Sequence, residues 1–195
     1  MMQRSKLLST LGVALLGLGL TLPAAAEKKF IESDDAKKED EAPQKFLKDY
    51  DKLVKGKEAD WVYFADGFDA KNYKSVRVKP YAALGKGSRS RAAAEDGPGY
   101  WERWVAKSKL PWDVASKGGG DLTLEGNIAD AWEPSGAARA WGGWMANPGV
   151  CQEVIGRDSK GKIVFQIRHK SKGSTLSDAV ENGIENICKT LAKGK

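Results

Sequence analysis

VCQEVIGRDSKGKIVFQIRHKSKGSTLSDAVENGIENICKTL, residues 150–191, is the stretch on which the fold turns. Val150, Gln152 and Val154 alternate with Cys151, Glu153 and Ile155. Beyond Asp158-Ser159-Lys160-Gly161, the residues Ile163, Phe165 and Ile167 alternate with Val164, Gln166 and Arg168. A period of two on each side of a turn predicts an antiparallel hairpin. Thr175 followed by Asp178 then opens a capping box. Leu176, Val180, Ile184, Ile187 and Leu191 keep one apolar stripe, with Cys188 at its border. A helix with such a stripe must bury it, and the hairpin sheet is the nearest surface.

Upstream, Leu122 to Trp132 reads as another extended run, and Gly118-Gly119-Gly120 breaks the chain before it. Trp61 to Phe64 and Ser75 to Tyr81 also read as extended, Val76 and Val78 alternating with Arg77 and Lys79. Residues 85–99 are rich in Gly, Ser and charge, which predicts a loop with a short helix possible over Arg89 to Glu95. Asp96-Gly97-Pro98 signals a helix start, with Trp101, Trp104, Val105 and Ser108 on one face. Phe46, Leu47, Tyr50, Leu53 and Val54 fit a short helix between Pro43 and Gly56. The reading is therefore an α/β sandwich: a mostly antiparallel sheet packed by helices on one face, including the C-terminal helix.

The N-terminus gives a compartment. Arg4 and Lys6 precede an almost wholly apolar stretch from Leu7 to Leu22, and Pro23-Ala24-Ala25-Ala26 supplies small residues for cleavage. That is the grammar of a secretory signal peptide, and the apolar run is short for a membrane span. Residues 1–26 are expected to be removed, leaving a protein in the periplasm or secreted. Residues 27–42 are nearly all charged or small and are expected to form a disordered leader. Residues 43–195 are expected to form a single α/β domain, with no transmembrane segment.

The chain carries a formal charge of +6, which falls to +4 without Arg4 and Lys6. The charges are interspersed, so a nucleic-acid partner is not expected; mild attraction to an anionic envelope surface is. Cys151 and Cys188 are the two cysteines. An even count in an exported chain favours a disulfide, which would stabilise by about 4 kcal/mol in the chain-entropy picture. Two buried thiols acting as small hydrophobes are the alternative.

Chemistry is weakly signalled. His169 is the only histidine and lies between Arg168 and Lys170; alone it makes neither a zinc site nor a triad. Glu125, Asp130 and Glu133 lie near tryptophans, as a glycan-cleaving pair of carboxylates would require. On a regular strand, however, residues 125 and 133 stand roughly 26 Å apart on one face and Asp130 points to the other. Gly85-Lys86-Gly87-Ser88 lacks phosphate-loop spacing. Neither a metal nor a cofactor is expected. Seven tryptophans remain, six of them between Trp101 and Trp144. Most are expected to fill the core, with Trp141 and Trp144, around Gly142-Gly143 and after Arg139, as an exposed knuckle.

Two stretches resemble known families. FLKDYDKL at residues 46–53, with Tyr73-Lys74-Ser75-Val76 leading to Pro80, resembles an exported bacterial lipoprotein family, domain of unknown function 3313. LTLEGNIADAWEPSGAARAWGGW at residues 122–144, followed by the hairpin, resembles an envelope family, domain of unknown function 4410. Together they span most of residues 44–192. The resemblance implies an α/β sandwich at the periplasmic side of an envelope, without an activity to carry over. Gly136, Ala137, Arg139 and Gly143 match the family's Gly/Ala/Arg knuckle. The chain departs from the lipoprotein pattern, because Glu27 rather than Cys follows the signal, and this argues against a lipid anchor. The expected function is thus non-catalytic: binding of an envelope protein or glycan through Gly136, Arg139, Trp141, Gly143 and Trp144. A hydrolase acting on envelope glycan through Glu125 or Asp130 is the alternative.

Overall fold

The computed structural model describes residues 46–84, 87–115, 118–135 and 147–194. The signal and leader regions, 1–42, and the knuckle residues Gly136, Ala137, Arg139, Trp141, Gly143 and Trp144 lie outside the described residues.

Eight strands form one sheet: β1 (Val54–Lys55), β2 (Trp61–Phe64), β3 (Ser75–Val78), β4 (Ala82–Ala83), β5 (Asp113–Val114), β6 (Leu122–Trp132), β7 (Gly149–Asp158) and β8 (Ile163–Lys172). The order is β1-β2-β8-β7-β6-β3-β5, with β4 also pairing β6. From β1 to β6 all neighbours are antiparallel; β3 joins β6 and β5 in parallel, as β4 joins β6. Two helices, α1 (Ser88–Lys107) and α2 (Leu176–Lys193), cover one face. This is the mostly antiparallel sheet with helices on one face, the C-terminal one included, that the sequence predicts.

The hairpin forms as read. β7 and β8 pair Val154 with Ile167 and Glu153 with Arg168, and Gly161 adopts a positive φ of 78° in the turn. Val150, Val154, Phe165 and Ile167 join Leu122, Leu124 and Ile128 of β6 in the core under the helices. α2 answers with Val180, Ile184, Ile187 and Leu191, all buried. Thr175 caps it, Oγ1 accepting from the Asp178 backbone N–H at 3.0 Å. At Gly183 the helix approaches β7 so closely that a Cβ would sit 2.1 Å from Gln152 Nε2.

Two local expectations are corrected. Residues 88–107 form one continuous helix through Gly97 and Pro98, where a loop and a new helix start were expected. An interior proline costs about 3 kcal/mol, and tertiary packing offsets it. The Tyr81 ring is clamped between Gly97 of α1 and Gly126 of β6, where added Cβ atoms would lie 2.7 and 2.0 Å from ring carbons. Its hydroxyl accepts from Trp101 Nε1 at 2.7 Å. The Gly97-Pro98 pair is thus a packing notch within a helix.

The second correction concerns residues 46–54, which form no α-helix. They run as irregular chain, a 3-10 turn at Tyr50–Lys52 and the short β1. Helical spacing lost to tertiary partners: the Lys48 N–H donates to Gln166 Oε1 at 2.7 Å, and Val54 pairs with Val62. Leu47 and Leu53 bury against Ile155 on the sheet face away from the helices. This segment is the cover of that second face.

Candidate functional site

The sheet's second face carries an unusual concentration of buried polar groups. Cross-strand partners share a face, so Asn127, Glu153 and Arg168 stand side by side on β6, β7 and β8. All three are buried, Glu153 at 0% exposure and Arg168 at 1%. Glu153 Oε1 accepts from Arg168 Nη1 and from the Tyr50 hydroxyl, the latter at 2.7 Å. Oε2 accepts from Asn127 Nδ2 at 3.0 Å. Asn127 Oδ1 in turn accepts from the Leu84 N–H at 3.3 Å. An ion pair stripped of water is tolerated only when further hydrogen bonds satisfy its atoms, and Tyr50 and Asn127 supply them to the Glu153 carboxylate. Burial, together with the Glu153 charge, pushes the Tyr50 phenol well above its ordinary pKa.

The arrangement is a strut rather than a general base, since three donors already occupy both carboxylate oxygens of Glu153. Cys151 lies on the same face beside Ala129. Burial pushes its thiol up to about 12; the Arg168 charge opposes this, while Glu153, Asp130 and Asp60 add to it. Such a thiol is a poor nucleophile.

The expected Cys151–Cys188 bridge does not form; both residues are buried free thiols. Alternation on β7 explains it. Cys151 points with Glu153 and Ile155 to the second face, whereas Cys188 sits on α2 in the core of the first. The sheet itself lies between them, so the alternative of two small buried hydrophobes is what the structure shows.

The acidic group on β6 is also revised. The register of β6 against β7 shifts between Ile128 and Asp130, a bulge at which Asp130 pairs Cys151. Asp130 therefore shares a face with Glu125, contrary to regular alternation. Glu125 is held by Lys79 Nζ at 2.8 Å and Arg157 Nε at 3.0 Å, and Glu133 is paired with Arg89 at 3.4 Å. Burial works against the Glu125 carboxylate, but its two basic partners prevail and hold its pKa below the usual range.

His169 is fixed on the helix-covered face. Its Nδ1 lies 3.1 Å from Asp60 Oδ2 and its Nε2 lies 3.0 Å from Asn186 Nδ2. With Asn186 donating, Nδ1 carries the proton and donates to Asp60. The ring ties the loop before β2 to α2. Among the described residues there is no cluster of three or more His, Cys, Asp or Glu suited to a metal.

The described tryptophans are mostly structural. Trp101, Trp112 and Trp132 are buried. Trp112 Nε1 donates to the Ala70 carbonyl at 2.8 Å, and the Lys170 ammonium stands 4.4 Å from the Trp132 ring centre. Trp104 is half-buried and donates to Glu181 at 3.1 Å.

A cavity of about 530 Å³ opens where β1 and β2 meet the end of α2. Val54, Val62 and Phe64 form its apolar wall, and Lys52, Lys55, Lys57 and Lys193 stand around it. Sequence reading missed this feature and the Glu153–Arg168 strut. The strut was partly within reach: a turn at residues 158–161 puts Glu153 and Arg168 on facing strands, but in register it sets Glu153 opposite Gln166, and the pairing with Arg168 depends on the register shift between Gly156 and Arg157. The cavity was not, because it depends on where a non-helical segment meets the end of a distant helix.

No protein-family model matches the chain, and no curated protein matches it. Among solved structures, the fold is similar to a PelC dodecamer from Paraburkholderia phytofirmans, with TM-score 0.50 and 14% identity over 69% of this chain and 96% of that one. A second PelC dodecamer from the same organism aligns with TM-score 0.48 and 16% identity, covering 67% of this chain and 95% of the other. At these identities the likeness concerns the fold alone. No helix among the described residues is long and apolar enough to cross a membrane.

Proposed function

We propose that this chain is a non-catalytic protein of the bacterial envelope, exported to the periplasm or beyond, that works by binding an envelope component or protein partner. The observation that carries the reading is the state of the groups a hydrolase would need. Glu125 and Glu133 are held in ion pairs and His169 is held between Asp60 and Asn186. Glu153 has its oxygens filled by three donors. A general acid or base needs a lone pair or proton directed at substrate; these are directed at neighbours, and Asp130 is buried at 3% exposure. The signal-peptide grammar of residues 1–26 supports export. The contact surface is the knuckle at Gly136, Arg139, Trp141, Gly143 and Trp144, with aromatic anchoring as its mechanism.

A specific observation favours one partner in particular. The structure similar in fold at TM-score 0.50 is a dodecamer, which supports a second reading in which copies of this chain are each other's partners.

The test is crosslinking in intact envelopes followed by affinity capture, beside light-scattering mass of the purified chain. Trp141→Ala with Trp144→Ala should abolish capture while the thermal midpoint stays unchanged. Under the second reading the same double substitution lowers the mass to that of one chain. Unchanged capture and mass would overturn the knuckle as the contact. Loss of measurable glycan release in Glu125→Gln would overturn the non-catalytic reading.

A further inference from the structure

The cavity between the β1–β2 edge and the end of α2 combines two properties that rarely coincide by accident of packing. Its wall is apolar: Val62 and Phe64 of β2 are buried, and Val54 of β1 projects at 62% exposure. Val54 and Leu84 are the exposed large hydrophobic residues among those described. Leaving Val54 wet forfeits burial that the rest of the fold secures. Its rim is cationic: four lysines, Lys52, Lys55, Lys57 and Lys193, stand against one lining carboxylate, Glu58.

Glu58 on the rim and Asp49 beside it are already engaged. Glu58 pairs with Lys193, and burial opposes while Lys193 lowers its pKa, with Lys193 the larger influence. Lys52 holds Asp49 at 3.3 Å. These pairs are solvent-exposed, and exposed pairs are weak and readily exchanged. Against the four ammonium groups stand the carboxylates of Glu58 and Asp49 and the partial negative charge of the carbonyl end of α2, so the rim keeps a net positive charge. The volume, about 530 Å³, falls in the range of small-ligand sites, roughly 300–1,000 Å³.

We propose that this cavity binds a single-chain fatty carboxylate, its acyl chain against Val54, Val62 and Phe64 and its headgroup among the lysines. A neutral apolar ligand would leave the cationic rim without a purpose, and a cationic amphiphile would meet repulsion at the mouth. The inference gives a chemistry to the envelope component of the reading above and rests on it. Its test is read apart from partner capture, which Trp141 and Trp144 govern, so the two can fail separately.

The experiment is calorimetric titration of the full chain with sodium dodecanoate below its micelle concentration, beside dodecyltrimethylammonium and acetate. One saturable site is expected for dodecanoate, with at least tenfold weaker binding of the cationic detergent and none of acetate. Val54→Glu, which changes an exposed side chain, should weaken dodecanoate at least tenfold with an unchanged thermal midpoint. Lys57→Glu should weaken it severalfold and flatten its dependence on salt. Every variant keeps the same N-terminal apolar stretch, so differences among them report the cavity. Equal affinity for the two detergents, or dodecanoate binding unmoved by Val54→Glu, would overturn the proposal. Absence of any saturable site would also overturn it, while leaving the knuckle's partner binding untouched.

Discussion

The two faces of the sheet solve the same problem with opposite materials. Under α1 and α2 the core is largely hydrocarbon, Val150, Val154, Phe165 and Ile167 against Val180, Ile184 and Ile187, with Gln152, His169 and Ser171 buried beside it. On the other side Glu153, Arg168 and Asn127 are buried just as deeply, under Tyr50, Leu47 and Leu53. Strict alternation on β7 and β8 suggests one core face and one wet face. The comparison teaches that polar residues such as Glu153, Gln166 and Arg168 on one sheet face do not by themselves make a surface. A polar face can be closed when its charges are matched in number and geometry.

The sharpest way to break this comparison is to remove half of the ion pair. Arg168→Met leaves Glu153 buried without its cation, and loss of one partner of a buried pair costs about 3–5 kcal/mol. Urea unfolding followed by tryptophan fluorescence should show that loss. Adding Glu153→Gln removes the uncompensated charge while its amide oxygen still accepts from Asn127 and its amide N–H donates to the Tyr50 hydroxyl, and should recover at least half of it. If Arg168→Met alone cost less than about 1 kcal/mol, the face would be wetter than the structure shows.

The counterpart on the hydrocarbon face is Ile184→Ala. Ile184 is fully buried on α2, and such truncations cost about 2–5 kcal/mol through lost transfer energy and the cavity left behind. The same unfolding experiment reads it. Unlike the charge deletion, this loss should not be recovered by any second change across the sheet. Below it in size comes Tyr50→Phe, which deletes one donor to Glu153 Oε1 and leaves two others in place. Hydrogen bonds to charged groups contribute about 1.5–3 kcal/mol, so a loss near the lower figure is expected in the same denaturation curves. A neutral result would assign Tyr50 to packing alone.

These two faces also show what the sequence made legible. The helix-covered face was open to reading because period two on the hairpin and period 3.6 on α2 both have local causes, and Thr175 marks the boundary by its own hydroxyl. Residues 46–54 misled because Phe46, Leu47, Tyr50 and Leu53 satisfy helical spacing, while the Lys48 N–H among them is committed to Gln166, more than a hundred residues away. Pro98 misled for a related reason: its usual meaning at a helix start was overridden by Tyr81 wedged against Gly97 and Gly126. Asp130 changed face through a bulge that no spacing rule announces. The cysteines are the instructive case, since the alternation on β7 already placed Cys151 opposite the helix face. Pairing it with Cys188 neglected the thickness of the sheet. For the candidate site, the knuckle residues were named from local composition, whereas the cavity arises only where distant segments meet and the buried strut only once a register shift in the hairpin sets Glu153 against Arg168.

The smallest effect that still separates the faces is expected at their shared margin, in acid. Asp60 accepts from His169 Nδ1 and from the Lys170 backbone N–H, at 3.1 and 2.7 Å. Burial alone would raise the Asp60 pKa, but these hydrogen bonds and the neighbouring positive charge outweigh it, so the folded value lies below the ordinary 3.8. A carboxylate with a depressed folded pKa binds its proton more readily in the unfolded chain. Its contribution is therefore complete above about pH 3.8 and disappears as pH falls from there through the folded value. Asp60→Asn should lower stability near neutral pH and flatten the loss that sets in as pH falls below about 3.8. Because the Asp60 side chain is 48% exposed, solvent screens the interaction and the shift in midpoint should be smaller than for any substitution above. Thermal melts of both proteins across that range check it. Parallel curves would mean that the Asp60–His169 contact orders the loop before β2 without stabilising the fold, and that the acid sensitivity of the molecule resides elsewhere on the sheet.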